Sequence, residues 1–274
     1  MIKKILPKRA SEYLITKLGG NLEAGCTNCD KLNSGNQKLE RALIRAKKTQ
    51  EAILPPERDI TFQDYEISGN INSYYRIGGD YFDWIIHDEN RLGLSLADVS
   101  GKGMESTPVT SSIHAVLDVT SRISTKNIAS YVQELNNFLV DHTPTNMFAT
   151  LIYGELSKEG FRYVSGGHEP ILHYSQGQVT FTRKGNMALG VLPNLNYDIF
   201  NLRLEKGDIM LLYSDGITDT INRNFPSSKG VESLTNILKE KHKKPAREIL
   251  NEIFNFLGDF EQTDDQTGLV VKRT

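Results

Sequence analysis

Cysteine is almost missing from this 274-residue chain: Cys26 and Cys29, in the stretch GCTNCD, are the two it has. So low a count excludes a disulfide scaffold. A lone C-x-x-C without two further ligands beside it is half a zinc site, so the pair reads as two ordinary thiols in a polar loop. Neither cysteine is followed six positions on by arginine, which sets a thiol-based phosphatase loop aside. Charge imbalance is also missing. A formal net charge of -2 with no dominant basic block argues against an obligate nucleic-acid binder. No run approaches the roughly 18 apolar residues of a membrane span, and the opening MIKKILPKRASEYLITK lacks the apolar core of a secretory signal. A cytoplasmic chain is expected. At 38% hydrophobic residues it can still build a substantial core.

What is present is densest between Arg76 and Met104, read as RIGGDYFDW and IIHDENRLGLSLADVSGKGM. A double glycine and Asp80 open one apolar run. A polar turn, Asp88-Glu89-Asn90, follows, and a second run ends at Asp98 before a glycine-rich loop. Leu92, Leu94 and Leu96 alternate with Gly93, Ser95 and Ala97 at strand period. If the two strands are antiparallel, Asp80 and Asp98 share one end of a sheet. Two half-buried carboxylates side by side cost several kcal/mol unless a cation lies between them. With oxygen donors alone, and His87 placed at the far end of the hairpin, Mg or Mn suits the pair better than Zn.

Taken in order, residues 1–36 read as an N-terminal arm. It is broken by Pro7 and Gly19-Gly20, and its basic residues form a solvated face. Residues 37–55 read as a linker helix with Leu39, Leu43, Ala46, Gln50 and Ile53 along one seam, stopped by Pro55-Pro56. Two readings of that seam stay open: a helix packed on its own domain, or one that forms a homodimer or receives an upstream activator. Residues 56–274 read as one domain. Strands are expected at 60–70, in the hairpin, and at 148–156, 161–164, 171–174, 179–182, 198–204, 208–213 and 267–271. Helices are expected from Thr107, at 127–140, 231–240 and 245–257. Strands in the middle with helices in pairs point to an α+β layered domain, two sheets packed together with helix pairs outside.

Asp80, Asp98, Asp215 and the pair Asp264-Asp265 share one grammar: an acid at the edge of an apolar strand, beside glycine or a second acid. Singly, each is ordinary turn chemistry. Together they are what a binuclear hard-metal site needs, with ions ~3.5–4 Å apart that make hydroxide available at neutral pH and neutralise a phosphate under attack. SGKG lacks the full spacing of a nucleotide phosphate loop, though the amides of Gly101, Lys102 and Gly103 are placed to meet an anion. His168, in SGGHEP, reads as a turn histidine ahead of a leaving-group acid. Arg76 stands equally as a phosphate clamp and a solvated arginine.

At these residues the chain resembles the metal-dependent PPM-type serine/threonine phosphatases, in the bacterial branch typified by sporulation stage II protein E and the stress-response phosphatase RsbU. The similarity runs in order through AILPPE, IGGDYFD, LADVSGKGM, MFATLIYGEL, YVSGGHEPIL, ALGV, LLYSDGITD and DDQTGLVV, about Ala52 to Val271. The resemblance implies a four-layer αββα sandwich of two mainly antiparallel sheets, flanked by helix pairs, with two Mn or Mg ions at the sheet edge. It implies that Asp98 bridges both ions and that the carbonyl of Val99 adds a ligand. Asp80 and Asp215 would help hold the pair, and Asp265 would complete it, with Asp264 the less certain acid. It implies a phosphorylated anti-sigma factor antagonist as substrate, in a partner-switching pathway. Glu169 stands where relatives often carry Asn, and Thr110, Ser111 and Ser112 where the branch is usually apolar. Two other functions remain in view: a catalytically weak regulatory binding module of the same fold, and a hydrolase of small-molecule phosphates.

Overall fold

Strand period decides the architecture, because apolar side chains on both faces of the central strands demand a covering layer on each side. In a computed structural model, which describes residues 22–55, 58–123, 127–183, 185–225 and 229–274, the strands form two antiparallel sheets. One sheet has six strands in the order β1 (Asp59–Phe62), β2 (Tyr65–Asn72), β11 (Gln266–Arg273), β10 (Ile209–Tyr213), β7 (Leu172–Ser175) and β8 (Gln178–Phe181). The other has five, in the order β3 (Tyr81–Ile86), β4 (Leu92–Val99), β5 (Ala149–Ser157), β6 (Gly160–Gly166) and β9 (Phe200–Leu202). Outside the five-stranded sheet, α2 (Thr107–Ile123) and α3 (Ile128–His142) cover Ala97, Val99, Leu151 and Tyr153. Outside the other, α4 (Asp215–Asn224), α5 (Lys229–Lys241) and α6 (Ala246–Leu257) cover Leu211, Tyr213 and Val270. Between the sheets, Phe82, Leu94, Leu96, Ile152, Met210, Leu212, Leu269 and Val271 form one apolar layer. The αββα sandwich is therefore as expected.

Three local expectations change. The segment 60–70 is two strands, because Gln63 turns the chain at φ 53° and Phe62 pairs with Tyr65. Helix α4 follows Ser214 directly. Its apolar signal is only Ile217 and Ile221, one turn apart, which alternation along the preceding strand hides. On the six-stranded sheet the flanking layer thus holds three helices in place of a pair.

The chain divides into two compact units, residues 1–45 and 46–274. Helix α1 (Leu22–Glu51) starts at Leu22, not Gln37, and takes in Gly25 and Asn33–Gly35, which had read as loop. Single helix-disfavouring residues each cost about 1 kcal/mol or less, too little to stop a long helix. Residues 1–21 of the expected arm lie outside the described residues. Cys26 and Cys29 fall in the helix, not in a loop, and their side chains lie outside the described residues too. In the first unit, Leu39 and Ile44 are 56% and 40% exposed. In the second, Leu54 is buried beneath α2 and α3.

Candidate metal centre

The inter-sheet layer has an edge where apolar residues give way to polar ones without a change of face. Side chains two apart on a strand point the same way. Phe82 is thus followed outward by Asp80, Leu96 by Asp98, Ile152 by Thr150, Leu212 by Ser214, and Leu269 by Thr267 and then Asp265. The hairpin register places Tyr81 opposite Ala97, so Asp80 and Asp98 do share one sheet end. Sheet packing brings Ser214-Asp215 and Asp264-Asp265 to the same edge from the opposite side.

Asp80 is buried, and its Oδ2 accepts a 2.5 Å hydrogen bond from the Thr267 hydroxyl. Burial, and then the neighbouring Asp98 and Asp265, push its carboxyl well above the usual range. Asp98 is raised to about 7 by burial, with Asp215, Asp264 and Asp265 adding repulsion, and it lies within hydrogen-bonding reach of Asp80. Asp215 rises to about 6 through burial and the nearby Asp219, Asp264 and Glu169. Burial also raises Asp265, against three backbone bonds that favour its anion. Its Oδ1 accepts from Tyr74 N at 2.7 Å, and its Oδ2 from Gly79 N at 2.6 Å. Asp264 is the more exposed acid, and its Oδ1 accepts from Asp265 N at 2.9 Å. Its half-exposed carboxylate pairs with Lys102 Nζ at 2.6 Å.

The Gly78-Gly79 segment ahead of Asp80 is gripped from several sides. Gln50 Nε2 donates to Gly78 O at 2.6 Å, and Gly78 N donates back to Gln50 Oε1 at 3.2 Å. The Thr110 hydroxyl donates to Gly79 O at 3.0 Å. A Cβ on Gly79 would stand 2.7 Å from the Val99 carbonyl, so only glycine lets that oxygen approach the segment. Thr267, Thr110 and Gln50 escaped the sequence reading. Thr267 carries a signal in hindsight, since it stands two residues before Leu269 on the inter-sheet face.

In the SGKG loop the Lys102 amide is already used, donating to Glu105 Oε1 at 3.0 Å. His168 is buried and fully bonded. Its Nδ1 is 2.7 Å from Thr150 Oγ1, and its Nε2 is 3.1 Å from Tyr213 O. Burial lowers its pKa to about 4, so it sits there neutral as a structural histidine. Arg76 lines a cavity of about 260 Å³ together with Asp80, Asn72 and Gln262.

Among the described residues, no group of three or more His, Cys, Asp and Glu side chains is drawn together tightly enough to grip an ion as it stands. The donor chemistry nonetheless suits one. Burial first, and then repulsion between Asp98 and its acidic neighbours, raises these carboxyl pKa values, so charge at this edge is poorly compensated. A hard divalent cation with oxygen preference would supply that compensation.

Comparisons with known proteins bear on the family and the fold. A family model described as Stage II sporulation protein E (SpoIIE) matches residues 88–274, a span that takes in Asp98, Asp215, Asp264 and Asp265 and begins after Asp80. The phosphoserine phosphatase RsbU of Bacillus subtilis (strain 168) is 30% identical over 206 residues, covering 72% of this chain and 60% of RsbU. The SiaA-PP2C domain of Pseudomonas aeruginosa has the same fold, with a TM-score of 0.70 at 18% identity over 88% of this chain and 98% of that one. RsbX in complex with magnesium matches with a TM-score of 0.59 at 18% identity, over 79% and 98%. At such identities the solved structures speak to the fold alone. This chain spans about half the length of the curated relatives it matches.

Proposed function

Because the chain belongs to the stage II sporulation protein E (SpoIIE) family, we propose that it hydrolyses phosphoserine or phosphothreonine on a protein with the help of divalent cations. The observation that carries this reading is the run of carboxylates replacing apolar residues at one edge of the inter-sheet layer. We take the substrate to be a phosphorylated anti-sigma factor antagonist, a reading supported by the similarity to RsbU.

Asp80, Asp98, Asp215 and the Val99 carbonyl would hold two Mn or Mg ions, with one of the neighbouring acids completing the set. The geometry favours a division between those two. Asp265, with both oxygens on backbone amides, anchors the loop that carries Asp80, and Asp264, the more exposed acid, would exchange its Lys102 partner for an ion. When bound, the ions supply charge against the phosphate and a nucleophilic water at neutral pH. The protein's own part is to hold the acids in place and to orient the phosphate. Arg76, beside Asp80 in its cavity, is the group suited to a bidentate hold on phosphate oxygens. His168 is not the leaving-group acid, because both ring nitrogens are already bonded.

The test is phosphate release from a phosphoserine-bearing antagonist protein with Mn, with Mg and with chelator, for the wild type and Asp98→Asn. Release with metal, loss with chelator and a drop of at least ~100-fold in the folded variant are expected. No release from folded wild type under either metal would instead support the binding module or an enzyme that awaits an activator at its N-terminal helix. Faster turnover of nucleotides or sugar phosphates than of phosphoproteins would support the small-molecule hydrolase.

A further inference from the structure

We propose that His168 and Thr150 form a strut between the two sheets that sets the spacing between Asp98 and Asp215, making both of them positioning residues for the cation site. The proposal rests on the metal-site reading above and assigns a task to two residues outside that set of ligands.

Thr150 is the cross-strand partner of Asp98 in the β4–β5 register. Partners directly opposite point to the same face and stand about 5 Å apart at Cβ, so Thr150 neighbours Asp98 on the inter-sheet side, with its hydroxyl 3.5 Å from the Asp98 main-chain carbonyl. From there His168 crosses the layer. Its other nitrogen meets the carbonyl of Tyr213, the last residue of β10, two positions before Asp215. One ring therefore joins the strand opposite Asp98 in one sheet to the strand that delivers Asp215 in the other.

Hydrogen placement follows from the partners. A carbonyl oxygen only accepts, so Nε2 carries the proton and donates to Tyr213 O. The ring is 5% exposed and neutral, so Nδ1 is bare and accepts from the Thr150 hydroxyl at 2.7 Å. Both bonds are then fully used, and the ring has one orientation. Its backbone is held as well. Gly167, at φ 68°, donates its N–H to Asn186 O at 2.7 Å, and a Cβ there would meet Ala188 at 2.9 Å. A rigid turn thus presents a rigid ring. Shortening, lengthening or unbonding that ring lets the sheet edges drift, and two carboxylates that repel each other drift apart.

The same geometry separates positioning from proton transfer. A strut works through its donor and acceptor pair and not through its charge, so a side-chain amide of comparable span serves in its place. A general acid could not be replaced that way.

Mn binding is measured by titration calorimetry on the full chain, alongside the pH profile of kcat at saturating Mn. The proteins are wild type, Thr150→Val, Thr150→Ser, His168→Leu, His168→Gln and Asp98→Asn. Thr150→Val removes the hydroxyl at constant shape and keeps the test open if His168→Leu fails to fold. Thr150→Val and His168→Leu should weaken Mn binding by ~10-fold or more, the usual cost of losing an outer-shell partner. Thr150→Ser and His168→Gln should stay within about threefold of wild type, and the pH profile should keep its shape. Wild-type affinity in Thr150→Val, accompanied only by a lower melting temperature, would overturn the strut. So would a lost limb of the pH profile in His168→Gln. Wild type that binds no more Mn than Asp98→Asn would overturn the metal-site reading itself, and this proposal with it.

Discussion

Asp98 shows how one residue can be a cost in one state and an asset in another. In the metal-free protein its carboxyl is raised to about 7 and that of Asp215 to about 6, chiefly by burial. The fold therefore favours their neutral forms. The stability this contributes is full below the unfolded carboxylate range and is lost as pH rises through about 6 to 7. In chelator, the wild type should melt lower at pH 8 than at pH 5.5. Asp98→Asn, permanently neutral, should flatten that slope and melt about 3 °C or more above wild type at pH 8. Thermal scans at the two pH values check the sign, and a variant that melts lower than wild type at pH 8 would contradict it. Thr110 is a different kind of residue. Its buried hydroxyl bonds to the carbonyls of Gly79 and Ser106, so Thr110→Val leaves Gly79 O without that partner. A loss of about 1–3 kcal/mol in urea unfolding is expected. From sequence Thr110 was only a polar residue where apolar ones are usual. Its bond crosses from α2 to the segment before β3, and no local pattern encodes such a contact.

At the scale of elements, legibility tracks periodicity. The β3–β4 hairpin could be read because Leu92, Leu94 and Leu96 alternate cleanly and Asp88 closes the turn with its own side chain, accepting from Asn90 N at 2.9 Å. Helix α3 could be read because Ile128, Val132, Leu135 and Leu139 keep one face, with Asn127 as its N-cap. Helix α4 could not, because two isoleucines in ten residues make too weak a stripe. The start of α1 could not either, since glycine and asparagine read as breakers even where neighbouring turns outvote them. The site followed the same rule. Acids at strand ends were visible because they interrupt a period, whereas the surroundings of Asp265 and Asp264 depend on which groups the folded loop presents, the amides of Tyr74 and Gly79 for one and the Asp265 amide with Lys102 for the other. Along α1 the expected seam runs through Leu39 and Leu43, with Leu39 exposed, and we propose that this seam pairs with a second copy of the chain. Sedimentation should then show a dimer for wild type and a monomer for Leu39→Glu with Leu43→Glu, and a monomeric wild type would dismiss the pairing.

Across the whole molecule, the proposed ligands divide by layer. Asp98 and Val99 end a strand of the five-stranded sheet and Asp80 immediately precedes another, whereas Asp215 and Asp264-Asp265 flank strands of the six-stranded one. An ion bound among them would therefore fasten two sheets that otherwise meet through apolar packing and a few cross-layer bonds such as Thr267 to Asp80. Binding to the folded state alone adds stability as RT ln(1 + [L]/Kd), about 2.7 kcal/mol at a hundredfold excess over Kd. For a protein of this size that corresponds to a rise in melting temperature of roughly 5 °C or more. Mn should produce that rise in wild type and little of it in Asp98→Asn, although the same variant is the more stable one in chelator at pH 8. The two effects have opposite signs because one carboxylate is desolvated and repelled by its neighbours in chelator and is held by the ion when Mn is bound. Amide exchange locates the effect. Protection gained on Mn addition should appear at the site ends of β4 and β10 together, since a cation spanning both sheets cannot tighten one without the other. Protection confined to the hairpin would mean that the ion sits on Asp80 and Asp98 alone, leaving Asp215 outside the centre.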